Sequence, residues 1–206
     1  DKELEGRTDL TSKMIFTIDC SDTKDIDDAI SLEISGEDNI IGVHIADVSH
    51  YVTKGSPLDQ EAYKRGTSSY LADTVIPMLP RKLSNGICSL NEGEIRLTLS
   101  CEMKINKEGK VLDADIFPSY IKSNKKMTYE KVNDIIMRNV VDPLYEPFKD
   151  VLIKMNELAK ILRQEKEKRG YIDFELEEAK VVQDENGKAI DIKRRFREDG
   201  EKLIED

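Results

Sequence analysis

Apolar residues recur at every second position in several short runs of this chain, and at every third or fourth in one long run. Period two predicts strands and the longer period predicts helices. Residues 14 to 18 read as a strand. Residues 28 to 34 and 40 to 47 read as a hairpin around Ser35-Gly36-Glu37-Asp38-Asn39, and residues 95 to 105 and 110 to 121 as a second, turning at Lys107-Glu108-Gly109. A third pair, 171 to 182 with 188 to 193, is expected across Glu185-Asn186-Gly187. Ser56 caps a short helix that has Pro57 at its first position and Gly66 just past its end. Thr128 caps another over residues 129 to 138. A longer helix is expected from Pro143 to Lys168. Leu144, Phe148, Val151, Leu152, Met155, Leu158, Ala159 and Leu162 mark its apolar face, and Arg169-Gly170 ends it. Residues 67 to 93 read as irregular, broken at Pro77, Pro80, Asn85-Gly86 and Glu92-Gly93. The fold class is therefore α+β, with antiparallel or mixed sheet hairpins flanked by helices. Gly200 to Asp206 starts a helix that the sequence does not finish, so a cut inside a domain is expected.

One run conflicts with this simple pattern. TIDCSDTKDIDDAI joins the first strand to the second, and ten of its residues hold Asp19, Asp22, Asp25, Asp27 and Asp28 against Lys24 alone. Two like charges about 4 Å apart repel by roughly 4 kcal/mol at an effective dielectric near 20. A solvated acidic turn tolerates that repulsion. Carboxylates pinned between Ile15, Phe16 and Ile18 on one side and Ile30, Leu32 and Ile34 on the other call for a cation. Oxygen-only ligands select a hard one, Mg²⁺ or Mn²⁺ before Zn²⁺. Read as a strand, the run puts Asp25 and Asp27 on the face of Ala29 and Ser31, with Asp28 on the face of Ile30 and Leu32. The EF-hand pattern fails, because starts at Asp22 and at Asp25 put Asp27 and Ile30 where glycine is required. Two carboxylate-held metals are a recurrent device for phosphodiester hydrolysis, but carboxylate count alone also allows a phosphatase or a passive cation site.

Bulk composition narrows this further. The chain has 206 residues, 38% apolar and 36% charged, enough for one large domain or two small ones. No apolar run approaches a membrane span, and DKELEGRTDL lacks the regions of a signal peptide. Cys20, Cys88 and Cys101 form no CxxC pair, so reduced cytoplasmic thiols are expected. His44 and His50, the only histidines, show no zinc-ligand spacing. The net charge of −10 argues against a nucleic-acid binder. The aspartate run supplies much of it, however. Basic clusters stand at Lys122, Lys125 and Lys126 and at Lys193, Arg194, Arg195 and Arg197, as phosphate contacts or as solvated surface charge.

The aspartate run resembles the TID-x-x-D-A-x-D-x-DDA signature of the ribonuclease II / ribonuclease R family, whose RNB domain catalyses 3′-to-5′ exoribonucleolysis. VHIADVSHYV, GTSSYLADTVIPMLPRKLSNGICSLNEGEIRLTLSCEM, RGYIDFELEEAKV and EKLIED are similar to the following blocks, so the resemblance runs from about Arg7 to Asp206. SSY, LSNGICSLN and RGYIDFELEEAK look closer to the ribonuclease R branch. The resemblance implies an Mg²⁺-dependent hydrolase, with Mn²⁺ as a possible substitute, that shortens single-stranded RNA from its 3′ end to nucleoside 5′-monophosphates. It implies that Asp19, Asp25 and Asp28 hold the metal, that Asp27 is needed for cleavage but not for RNA binding, and that Asp22 is structural. It makes Tyr70 and Phe174 the aromatics that stack on the last bases, although each could equally be an ordinary packing residue. Glu205 aligns with a glutamate near the RNA end.

On the same resemblance, residues 1–13 are a linker from a missing RNA-binding module and 14–206 the N-terminal part of the catalytic domain. The cold-shock and S1 modules and the arginine-bearing second half of the RNB domain are not in this sequence. A cytoplasmic monomer with no membrane partner is expected. The rival readings are a non-catalytic RNB-fold RNA-binding or regulatory module, which intact aspartates argue against, and another metal-dependent phosphoesterase, which would need no stacking platform.

Overall fold

The first strand and the two long hairpins join one sheet, while the third pair stays apart. The computed structural model describes residues 2–71, 74–173, 178–185 and 187–206. Its strands are β1 (Thr8–Asp9), β2 (Ile15–Asp19), β3 (Asp28–Ser35), β4 (Asp38–Ala46), β5 (Ser69–Tyr70), β6 (Val75–Ile76), β7 (Ile95–Ile105), β8 (Val111–Lys122), β9 (Lys125–Thr128), β10 (Glu178–Gln183) and β11 (Ala189–Arg195). Its helices are α1 (Val48–Tyr51), α2 (Pro57–Arg65), α3 (Tyr129–Arg138), α4 (Lys149–Lys168) and α5 (Asp199–Glu205). Seven strands form a mixed sheet in the order β1-β8-β7-β4-β3-β2-β9, and β5-β6 and β10-β11 are separate two-stranded ribbons. The α+β class holds.

The β3–β4 hairpin pairs Asp28 with Ile45 through to Ser35 with Asp38, and Gly36 takes φ +66° in its turn, a value that side chains with a Cβ avoid. The two edges escaped the periodicity. β9 runs parallel to β2, with Phe16 opposite Lys125 and Asp19 opposite Thr128. β1, inside the expected linker, runs parallel to β8. Strands of four and two residues carry too little alternation to read.

Neighbouring residues of β2 point to opposite faces, and each face has its own core. Phe16 and Ile18 pack with Met127 of β9, Val132 and Ile135 of α3, Leu152 and Met155 of α4, and Leu203 of α5. Ile15 packs on the other side with Leu10, Ile26, Ala29, Leu90 and Ile121. That second face also buries a polar row. The His44 ring lies 3.0 Å from Ser31 Oγ through Nε2 and 2.6 Å from Ser100 Oγ through Nδ1, and Ser100 Oγ lies 2.6 Å from Ser119 Oγ. Gly42 makes room for it, since a Cβ there would stand 2.3 Å from Ser31 Oγ and 2.7 Å from His44 Nε2.

Burial pushes the His44 imidazole down from its ordinary 6.5 to about 4, although Glu102 pulls the other way. The unfolded chain therefore binds a proton between pH 6.5 and 4 that the folded chain refuses. Stability from this residue is intact above pH 6.5 and falls as pH drops toward 4, by about 3 kcal/mol in all. Urea titrations at pH 7 and 4.5 on wild type and on His44→Asn check this. The wild type should lose more stability between the two pH values than the variant, and equal losses refute it.

Three expectations change. The helix expected from Pro143 begins at Lys149, behind a 3₁₀ turn at Glu146–Phe148. Pro147 lacks the N–H that a continuous ladder needs, and its ring crowds the preceding turn. Residues 67 to 93 are not wholly irregular, because they hold β5, β6 and a π-helical turn at Leu83–Ile87. The strand expected from residue 171 is seen from Glu178. Asn186 of its turn lies outside the described residues. α2 and α3 match their expected bounds. Ser56 Oγ accepts from the Asp59 N–H at 3.2 Å, and Thr128 Oγ1 accepts from the Lys131 N–H at 3.4 Å. No helix among the described residues is long and apolar enough to cross a membrane.

Candidate active site

Two buried isoleucines set the position of the aspartates. Ile18, 2% exposed, ends the apolar part of β2 and delivers Asp19 at the strand's last residue. Ile26, fully buried, plugs the loop between Asp25 and Asp27 into the second core. The run does not enter a strand until Asp28. Residues 25–27 are a loop, which corrects the reading of Asp25 and Asp27 as strand neighbours of Ala29 and Ser31. They diverge because this backbone is bonded to a distant segment, not to a strand ladder. The Ile26 N–H donates to Ser89 Oγ at 3.1 Å, Ser89 Oγ donates to Lys24 O at 2.9 Å, and the Leu90 N–H donates to Ile26 O at 3.0 Å. The Ala46 N–H, at the end of β4, donates to Asp27 O at 2.9 Å. Asp28, first in β3, keeps the expected face, since Ile30 and Leu32 pack against the helix-side core.

Four of the five carboxylates interact. Burial pushes Asp19 up to about 6, and the charges of Asp28, Asp27 and Asp25 add to it while Lys126 opposes them. Burial, then Asp25 and Asp28, pushes Asp27 up. Burial raises Asp28. Asp22 is exposed on the loop. Two tyrosines border the cluster. Tyr129, first residue of α3, is pushed up to about 12 by burial and by Asp19 and Asp28. Tyr70 comes from the β5–β6 ribbon. Its hydroxyl donates to Asp25 Oδ2 at 2.6 Å, and that bond first, then burial, raises it to about 12, while its ring stays exposed.

Among the described residues no three Asp, Glu, His or Cys side chains already close into a coordination shell. Asp25 commits one oxygen to Tyr70. The donor chemistry nonetheless suits a hard cation. Asp19, Asp25, Asp27 and Asp28 offer oxygen only, and burial raises Asp19, Asp27 and Asp28, a cost of ionisation that a bound cation would offset.

Glu205 is held by two arginines. Its carboxylate accepts from Arg197 Nη1 at 3.1 and 3.0 Å and lies 3.5 Å from Arg163 Nη2. The same two arginines bond Asp173, and Arg163 also bonds the buried Asp206. Phe174 lies outside the described residues. Sequence reasoning missed Tyr129, Ser89 and the position of Lys126 beside the loop. The sequence marked Lys126 only as part of a basic cluster and gave no signal for Tyr129 or Ser89.

An RNB domain model matches residues 7–206. The chain belongs to that family. It is 58% identical to ribonuclease R of Thermotoga maritima over 207 aligned positions, which cover 100% of this chain and 29% of that protein. Its fold superposes on Mycoplasma genitalium RNase R in complex with ribose-methylated single-stranded RNA with a TM-score of 0.91 at 32% identity, over 97% of this chain and 31% of that one. With the double-stranded RNA complex of the same protein the TM-score is 0.94 at 32% identity, over 99% and 37%. The chain thus spans about a third of the length of these relatives.

Proposed function

We propose that this chain carries the carboxylate half of a 3′-to-5′ exoribonuclease site, which hydrolyses single-stranded RNA to nucleoside 5′-monophosphates. The observation that carries the reading is the meeting of four coupled aspartates with an aromatic whose ring is free. Asp19, Asp25 and Asp28 would hold Mg²⁺ or Mn²⁺. The bound ion would lower the pKa of water and steady the oxygen that leaves phosphorus. Asp27 orients the water. The water oxygen bonds phosphorus as the bond from phosphorus to the 3′ oxygen breaks, leaving a 3′-hydroxyl on the shortened strand. Tyr70 stacks on a terminal base, a contact worth about 1–3 kcal/mol whatever the base. RNA on the Mycoplasma genitalium relative supports RNA as the ligand here.

The test is a 5′-labelled RNA with a 3′ tail, incubated with the full-length protein. A ladder that shortens from the 3′ end, with nucleoside 5′-monophosphates released, is expected with Mg²⁺ or Mn²⁺ and not in excess chelator. Unchanged decay in chelator refutes the metal. In the same assay Tyr70→Ala should lengthen the smallest product, and Tyr70→Phe, which keeps the ring, should not.

A further inference from the structure

We propose that Lys126 is a positioning residue for the aspartate loop, acting on it from the neighbouring strand; this rests on the function proposed above. Parallel pairing puts Lys126 opposite Thr17 of β2, two residues before Asp19. Met127 is fully buried in the helix-side core, so strand alternation turns Lys126 to the other side. Glu92 fastens β9 at this point, accepting from the Lys126 N–H at 2.9 Å and from Lys125 Nζ at 3.3 Å. From this fixed base the half-buried Lys126 side chain reaches the loop, and its Nζ donates to the carbonyl of Thr23. Thr23 closes the turn after Asp19, its N–H donating to Cys20 O at 3.1 Å. The same ammonium acts on Asp19 by charge.

Ile26 and its bonds to Ser89 and Leu90 secure the stretch before Asp27. On the Asp19 side the carboxylates repel one another, and the loop's own Lys24 is exposed. An ammonium is a compact charge with three donors on a flexible stem. Here it satisfies a backbone carbonyl and offsets the nearest carboxylate without occupying a ligand oxygen. Lys126 so keeps Asp19 and Asp25 turned toward a common cation.

The experiment compares wild type, Lys126→Met and Lys126→Arg in the full-length protein. Mn²⁺ affinity by calorimetry, kcat and KM on a short RNA, and hydrogen exchange at residues 20–27 are the readouts. Lys126→Met should weaken Mn²⁺ binding about tenfold, the scale seen when a group that orients a metal ligand is lost. It should lower kcat with KM for RNA within twofold, and speed exchange in the loop. Lys126→Arg should restore most of each. Mn²⁺ binding by Lys126→Met as tight as wild type or tighter overturns the proposal, because a bystander cation only repels metal. If the wild type neither binds Mn²⁺ nor shortens RNA, the function falls and loop exchange still decides Lys126. Faster exchange in the methionine variant alone supports it, and equal exchange overturns it.

Discussion

Asp27→Asn is expected to bind RNA and leave it uncut. Hydrolysis should fall by at least about 100-fold, the lower range for losing a group that handles a proton or orients a nucleophile. The fold should not suffer. Burial and the charges of Asp25 and Asp28 hold the Asp27 pKa above its ordinary value. Its stabilising contribution is therefore present at low pH and is lost as pH rises through that raised value, so ionised Asp27 opposes folding at neutral pH. Asparagine keeps the shape and removes the charge. Its melting temperature should equal or exceed that of wild type. Gel-shift binding, product release and thermal melts read the three quantities separately. Cleavage within tenfold of wild type would remove Asp27 from the chemistry, and a lower melting temperature would refute the electrostatic argument.

Phe16→Ala has the largest expected effect on stability. Phe16 is fully buried and meets Phe148 edge to face, with ring centroids 5.7 Å apart and an interplanar angle of 73°. Removing a core phenylalanine costs about 3–5 kcal/mol through lost transfer energy and the cavity left behind. A domain has about 5–15 kcal/mol to lose. The contact joins β2, which ends in Asp19, to the turn before α4, so the site should loosen with the core. Urea unfolding of the full-length protein measures the loss. Ile34→Ala, at a side chain 67% exposed, is the control and should stay within about 0.5 kcal/mol. A Phe16→Ala loss below about 1 kcal/mol would show that this face is not a packed core.

Asp27 lies in a run, and Phe16 beside it, whose importance is legible in the order of amino acids alone. Five aspartates between two apolar alternations are a local fact, and local repulsion already calls for a cation. Other features depended on distant partners. The alternation that placed Asp25 and Asp27 on a strand failed, because Ser89 and Leu90 bond this backbone from more than 60 residues away. Tyr70 gave no sign of a bond to Asp25, since sequence separation hides contacts made by a two-stranded ribbon.

Side-chain period, caps and turn residues determined by themselves the class of the fold, the bounds of α2 and α3, the two long hairpins and the identity of the carboxylates. These are properties of neighbouring residues, whose sterics and hydrogen bonds act along the chain. Tertiary structure alone decided that the two hairpins fuse through antiparallel β4 and β7 and gain parallel edge strands, that Lys126 faces the aspartates, and that Glu205 is tied to Arg163 and Arg197. Parallel pairing and ion pairs between elements depend on how separate faces bury against one another, and no periodicity within a segment encodes which partner it will meet.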